Sequence, residues 1–119
     1  MDQVLDLETV ESIRELNLHG VGGGFALELL AVFAKQSALM IEGLEAATTR
    51  RNLAEIKRIA HRLKGSAANI GAGQLACQAA GIEARAQAEV SDLANLSAEV
   101  RALAGLRERS MLALSRYFS

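Results

Sequence analysis

Residues 52–71 read NLAEIKRIAHRLKGSAANIG, from Asn52 to Gly71, and this stretch decides the fold. At about 100° of turn per residue in an α-helix, Leu53, Ile56, Ile59, Ala60, Leu63, Ala67 and Ile70 gather on one arc, which is the pattern of a core-facing stripe. Asn52 with Glu55 has the spacing of a capping box, so the helix starts there. Gly71 and Gly73 mark its end and the turn into the next element. His61 falls far round the wheel from the apolar arc and should face solvent. Residues three and four apart share a surface, so its neighbours are Lys57, Lys64 and Gly65, with Ala68 two turns on.

Working outward, the same periodicity predicts four more helices. A short first helix runs from about Leu7 to Asn17 with Asp6 as its N-cap. A second runs from about Gly24 to Thr48, with Phe25, Leu29, Val32, Phe33, Met40 and Leu44 as its apolar face. Gln36 falls on that face too, either as a buried hydrogen-bonding residue or at the end of the bundle. A fourth helix, about Gln74 to Ala88, carries a narrow stripe of Leu75, Ala79, Ile82 and Ala86. Ser91 or Asp92 caps a fifth that reaches about Tyr117, with Leu96, Val100, Leu103, Leu106, Leu114 and Phe118 closing the core. The expected fold is therefore all-α: an antiparallel up-down four-helix bundle with a short additional N-terminal helix, in one domain spanning residues 1–119. Composition agrees. Half the residues are hydrophobic but only 3% are aromatic, and proline is absent, which favours long, closely packed helices over a sheet.

Several function classes drop out. The run Gly20, Val21, Gly22, Gly23, Gly24 is not a nucleotide loop: Phe25 stands where a third glycine is needed, no strand precedes it, and no Gly-Lys-Ser/Thr follows. Autophosphorylation from ATP is not expected. A net charge of -1 argues against nucleic acid as a general partner. The single cysteine, Cys77, has no disulfide partner and no metal spacing, and reads as a small packing residue. Residues 1–4 lack the basic start of a signal peptide, and apolar runs such as Leu29 to Ala34 are far shorter than a membrane span, so cytoplasmic placement and no membrane contact are expected. A di-iron bundle would want Glu-x-x-His pairs, but Arg58 stands three before His61. Ser66 has no strand-turn-helix elbow around it and no acid–histidine pair. His19, the other histidine, lies in the glycine-rich loop with no visible second ligand.

What remains is the chemistry of His61. A glycine inside a helix costs roughly 1 kcal/mol relative to alanine, so Gly65 serves something other than the helix, and it clears space one turn from the imidazole. Lys64 can reach an anion attached to the ring, and two lysines beside the ring favour a neutral, nucleophilic imidazole.

The run from Ala60 to Gly71, with His61, Lys64, Gly65, Ser66, Ala67, Ala68, Ile70 and Gly71 at its marked places, resembles the signature of histidine-containing phosphotransfer (HPt) domains. Leu75, Ala76, Ile82, Glu83 and Ala86 resemble the helix that follows in that family. The resemblance implies that His61 is phosphorylated, that Lys64 steadies the phosphoryl oxygens and that Gly65 leaves room for a receiver domain. It implies a relay between the aspartates of response-regulator receiver domains, fed by a hybrid sensor histidine kinase, with nucleophilic chemistry shared between two proteins. Lys57, Arg58, Arg62, Ala68 and Asn69 are candidate partner contacts. The Mg²⁺ needed for in-line transfer would come with the receiver, and the chain itself would need no cofactor or metal. A monomer is expected, since the bundle core is complete in one chain. The competing reading is a helical adaptor or kinase inhibitor on the same bundle, which would have no need of a nucleophile.

Overall fold

The structure is a computed structural model and describes residues 3–19, 24–88 and 93–119, the side chains of Leu18 and His19 excepted. It contains five helices and, among the described residues, no strand: α1 (Leu7–His19), α2 (Phe25–Thr49), α3 (Leu53–Ile70), α4 (Gly73–Gln87) and α5 (Leu93–Phe118). Packing contacts run from α2 to α3, α3 to α4, α4 to α5 and α5 back to α2, while α1 touches α2, α3 and α5. Helix ends fall within two residues of the expected positions. The largest difference is α1, which continues through Leu18 and takes His19 out of the loop as its last residue. The glycine run at 20–23 and the proposed caps Ser91 and Asp92 lie outside the described residues.

Three of the core stripes follow hydrophobic period directly. In α3, Ile56, Ile59, Ala60, Leu63, Ala67 and Ile70 are buried. In α4 the buried set is Leu75, Ala79, Ile82 and Ala86. In α5 the six expected apolar residues are buried together with Ser110, whose hydroxyl bonds back to Leu106 O at 2.8 Å. Each fully buried leucine, such as Leu63, contributes roughly 1.5–3 kcal/mol against exposure.

The α2 stripe is a correction. Its buried face is Ala26, Leu30, Phe33, Ser37, Ile41, Leu44 and Ala47. Gln36 is exposed, as are Leu29 at 37%, Val32 at 53% and Leu39 at 59%. Apolar residues surround this helix on most sides, so hydrophobicity alone could not choose the face, and a serine sits in the middle of the true one. Ser37 is fully buried because Arg107 on α5 reaches across: Nε donates to Ser37 Oγ at 2.8 Å, and a terminal guanidinium nitrogen donates to Ala34 O at 2.7 Å. These bonds answer the cost of a buried hydroxyl and join α2 to α5. Cys77 is also corrected: it is exposed on α4 and outside its buried stripe.

The α3–α4 hairpin is what positions the site. Asn52 caps α3 by accepting from the Glu55 backbone N–H at 3.1 Å, an arrangement whose loss typically costs about 1 kcal/mol. Only half of the capping box forms. The Glu55 carboxylate turns to Arg58 instead of back to Asn52, whose own N–H donates to Ala47 O. At the other end Gly71 adopts φ 92°, and the N–H groups of Gly71 and Ala72 donate to Ala68 O and Ala67 O, closing the last turn as left-handed caps do. The segment before α1 secures this turn: Asp6 N–H donates to Gly71 O at 2.8 Å, and Gln74 N–H donates to Val4 O at 3.1 Å. Arg85 and Glu99 form an ion pair that ties α4 to α5.

Candidate functional site

His61 stands on the solvent side of α3 with 64% of its side chain exposed, as the helical wheel requires. The structure adds what the linear reading of α3 could not supply, a carboxylate from the next helix. His61 Nδ1 lies 2.8 Å from Oε2 of Glu83 on α4, and Lys64 Nζ lies 2.9 Å from Oε1 of the same residue. The two partners on α3 are three residues apart and so rise on one face, and one carboxylate serves both of them. Only 14% of the Glu83 side chain is exposed, which holds it in place between the helices.

Charge and tautomer follow from this geometry. The hydrogen bond from Lys64, opposed by partial burial and supported by the bond to His61, holds the Glu83 carboxyl below its ordinary value of 4.5. Glu83 is therefore ionised near neutral pH and can only accept, so Nδ1 is the donor of this bond, and in the neutral ring the lone pair then lies on Nε2. Among the described residues Nε2 meets no hydrogen-bond partner, so the nucleophilic nitrogen is the one left toward solvent. Two expectations change. The field at the ring is mixed rather than uniformly positive, and Lys64 is already engaged with Glu83 instead of extending unpaired beside the imidazole.

The lowered Glu83 carboxyl has a measurable consequence. Its native pKa lies below the unfolded value, so its contribution to stability is complete above about pH 5 and fades as pH falls through the native value. Glu83→Gln is therefore expected to melt below wild type at neutral pH, with the gap closing as pH falls below about 5 and through the lowered native value. Thermal melts across that range check it, and a gap independent of pH would contradict it.

The other expected site residues fall into four groups. Lys57, Arg58 and Arg62 line a hollow with His61, Glu83 and Ala54. Arg58 is partly committed, with two hydrogen bonds to Glu55 at 2.9 and 2.8 Å. Gly65 has open space where a side chain would begin: a Cβ there would meet nothing within 4 Å. Asn69 opens instead onto a groove between α2 and α3 that it lines with Leu29, Val32, Phe33, Gln36 and Ser66. A second groove, lined among others by Gln36, Leu39, Met40, Ile59 and Arg62, continues along the same helix pair toward the His61 surface. Ala68 is exposed but lines neither groove.

Glu83 is the site residue that the sequence reading left without a role. A signal was there: His61 and Glu83 are 22 residues apart, and Ala72, in the turn between the two helices, lies midway. Helices that fold back across a two-residue turn bring such equidistant positions together. No group of three metal-ligating side chains occurs among the described residues, and no helix there is long and apolar enough to cross a membrane.

A helical module carrying one exposed histidine, its ring oriented by a carboxylate from the next helix, is the class this fold and site define. The chain belongs to the Hpt domain family, whose model matches residues 28–110 and so includes α3, α4 and the whole His61 surface. That membership gives it a phosphotransfer role in a phosphorelay, as an intermediate rather than a classical enzyme. A solved rice structure described as a histidine-containing phosphotransfer protein superposes with a TM-score of 0.72 at 22% identity, covering 98% of this chain and 86% of the other, and shows the shared fold. No curated protein sequence gives a significant match.

Proposed function

We propose that this protein accepts a phosphoryl group on Nε2 of His61 from the phospho-aspartate of one receiver domain and hands it to the aspartate of another. The observation that supports this best is the ring itself, largely exposed, with Nδ1 occupied by Glu83 and Nε2 left to react. Loading is nucleophilic catalysis split between two molecules, with the histidine supplied here and the acyl phosphate supplied by the partner. Lys64 lies close enough to leave Glu83 for the incoming phosphoryl oxygens, which would place an ammonium where negative charge accumulates. Mg²⁺ comes with the receiver, a hybrid sensor histidine kinase is the source of phosphoryl groups, and this chain carries no autokinase activity.

The proposed scaffold is one domain over residues 1–119, an antiparallel up-down bundle of α2 to α5 with α1 as a short additional helix. The receiver docks over His61 and along the α2–α3 grooves, where Leu29, Val32 and Leu39 supply exposed apolar surface. Lys57, Arg62, Ala68 and Asn69 surround that seat, and Gly65 lets the receiver's loops approach the ring.

The test is to incubate the chain with a receiver domain labelled on its aspartyl phosphate. Transfer of an acid-labile, alkali-stable label to His61 is the expected result. Tight binding without transfer would replace this reading with the adaptor. Gly65→Leu probes the docking geometry separately. Because a Cβ at that position meets open space, the variant should be as stable as wild type or up to about 1 kcal/mol more so. Receiver affinity should fall about tenfold or more, because the added side chain fills the approach to the ring. Titration calorimetry and melting curves read the two effects, and unchanged affinity would remove the clearance argument.

A further inference from the structure

Glu83 holds Nδ1 of His61 through one oxygen and Nζ of Lys64 through the other. Orienting a resting imidazole would need only a hydrogen-bond acceptor, and a neutral amide would do. A full negative charge does something more once the ring is modified. With a phosphoryl group on Nε2, Nδ1 is the only ring nitrogen that can hold a proton. A phospho-ring protonated there releases neutral imidazole, a good leaving group, whereas one that has lost the proton must release imidazolate, a very poor one.

Resting on the phosphotransfer reading, we propose that Glu83 keeps the proton on Nδ1 while the phosphoryl group sits on Nε2, so that the loaded carrier stays primed to give the group away instead of storing it. A carboxylate facing the N–H of a histidine stabilises the protonated ring in just this sense. Glu83 is a positioning residue here, acting through the ring and never touching the phosphoryl group.

The steps balance without a proton from solvent. In loading, the Nε2 lone pair attacks phosphorus, the P–O bond to the donor aspartate breaks, and its electron pair returns to that carboxylate. The ring keeps its Nδ1 proton and becomes cationic beside the dianionic phosphoryl group. In unloading, an oxygen of the acceptor aspartate attacks phosphorus, the N–P pair returns to Nε2, and the ring is neutral again with Nδ1–H in place. Neither direction needs an acid or base to move a proton.

Other charges near the ring act the opposite way. Lys57, Arg58 and Arg62 share its hollow from α3, and Lys64 stands one turn on; all favour loss of the ring proton. The groove residues that α2 sets against Arg58 and Arg62, namely Gln36, Leu39, Met40 and Gly43, carry no ionisable group. From α4 the facing charge is Glu83, and it alone is at hydrogen-bond distance from Nδ1.

The experiment loads the full chain with phosphoramidate, a small phosphoryl donor, and follows phosphate release from His61 between about pH 5 and pH 9. Wild type is compared with Glu83→Gln, which can still accept the Nδ1–H through its amide oxygen but has lost the charge. The release profile of the variant should shift about one unit toward acid, making release about tenfold slower on the alkaline limb. Ring ¹⁵N spectra should show Nδ1 still protonated in phosphorylated wild type at a pH where the variant has lost that proton. Superimposable profiles from two labelled proteins would overturn this role for Glu83 and leave phosphotransfer standing. A wild-type chain that takes no phosphoryl group on His61 would remove both.

Discussion

Replacing His61 by glutamine is expected to abolish phosphoryl transfer, with a loss on the order of 10³-fold or more, as when a covalent nucleophile is removed elsewhere. The amide nitrogen of glutamine is conjugated with its carbonyl and offers no lone pair to phosphorus. The second histidine, His19, is the last residue of α1, and among the described residues the hydrogen bond to Glu83 from a histidine comes from His61. Because the His61 side chain is largely exposed and outside the core, stability should change by only about 0.5 kcal/mol. The combination identifies a functional residue. Receiver binding should persist within a few-fold, since the apolar α2 surface and Gly65 are untouched. Transfer assays with labelled receiver, calorimetric binding and melting curves on the same preparation separate the three quantities. Residual label on the variant would mean that another group accepts the phosphoryl.

Gly71→Val is expected to have the largest effect on folding, about 2–4 kcal/mol of lost stability. Two costs combine at this position. The backbone is at φ 92°, where a β-branched residue is strongly disfavoured. A Cβ would also lie 2.5 Å from Val10 Cγ2, so the Val10 side chain on α1 would have to shift. For a chain of this size the melting temperature should drop by roughly 10 °C. Function should suffer too. Gly71 closes the turn whose register sets Glu83 opposite His61, and Asp6 braces that turn through Gly71 O. The ring signals of His61 should broaden or shift in the variant under conditions where it is still folded. A melting temperature within 2–3 °C of wild type, an effect of well under ~1 kcal/mol, would show that the turn relaxes far more easily than this packing implies.

Much of this architecture was legible because each of α3, α4 and α5 has one apolar stripe and a polar remainder. In α3 the stripe also fixed the outward direction of His61, which is why the proposed nucleophile could be placed from helical geometry alone. The second helix failed for the opposite reason. With Leu27, Leu29, Leu30, Val32, Phe33, Leu39, Met40 and Ile41 spread around it, two faces compete, and the deciding fact is that Ser37 is buried against Arg107, 70 residues away. Cys77 misled because a small thiol among alanines resembles core packing, whereas its position on α4 lies outside the buried stripe. Glu83 could be quoted as part of a motif yet not given a task, since its meaning depends on hairpin register. Helical period describes one helix at a time, and the acid–imidazole–ammonium cluster exists only when two are folded together.

The displaced face of α2 has a consequence for how such a protein diversifies. Leu29, Val32 and Leu39 cover the outside of a helix whose inner side is already secured by other residues. On the proposed docking, mutations among these three would retune which signalling circuit the protein hears without jeopardising its ability to fold, while the proposed phosphoryl-accepting site on the neighbouring helix stays fixed. Duplicated copies could drift into separate wiring by changing this outer surface alone.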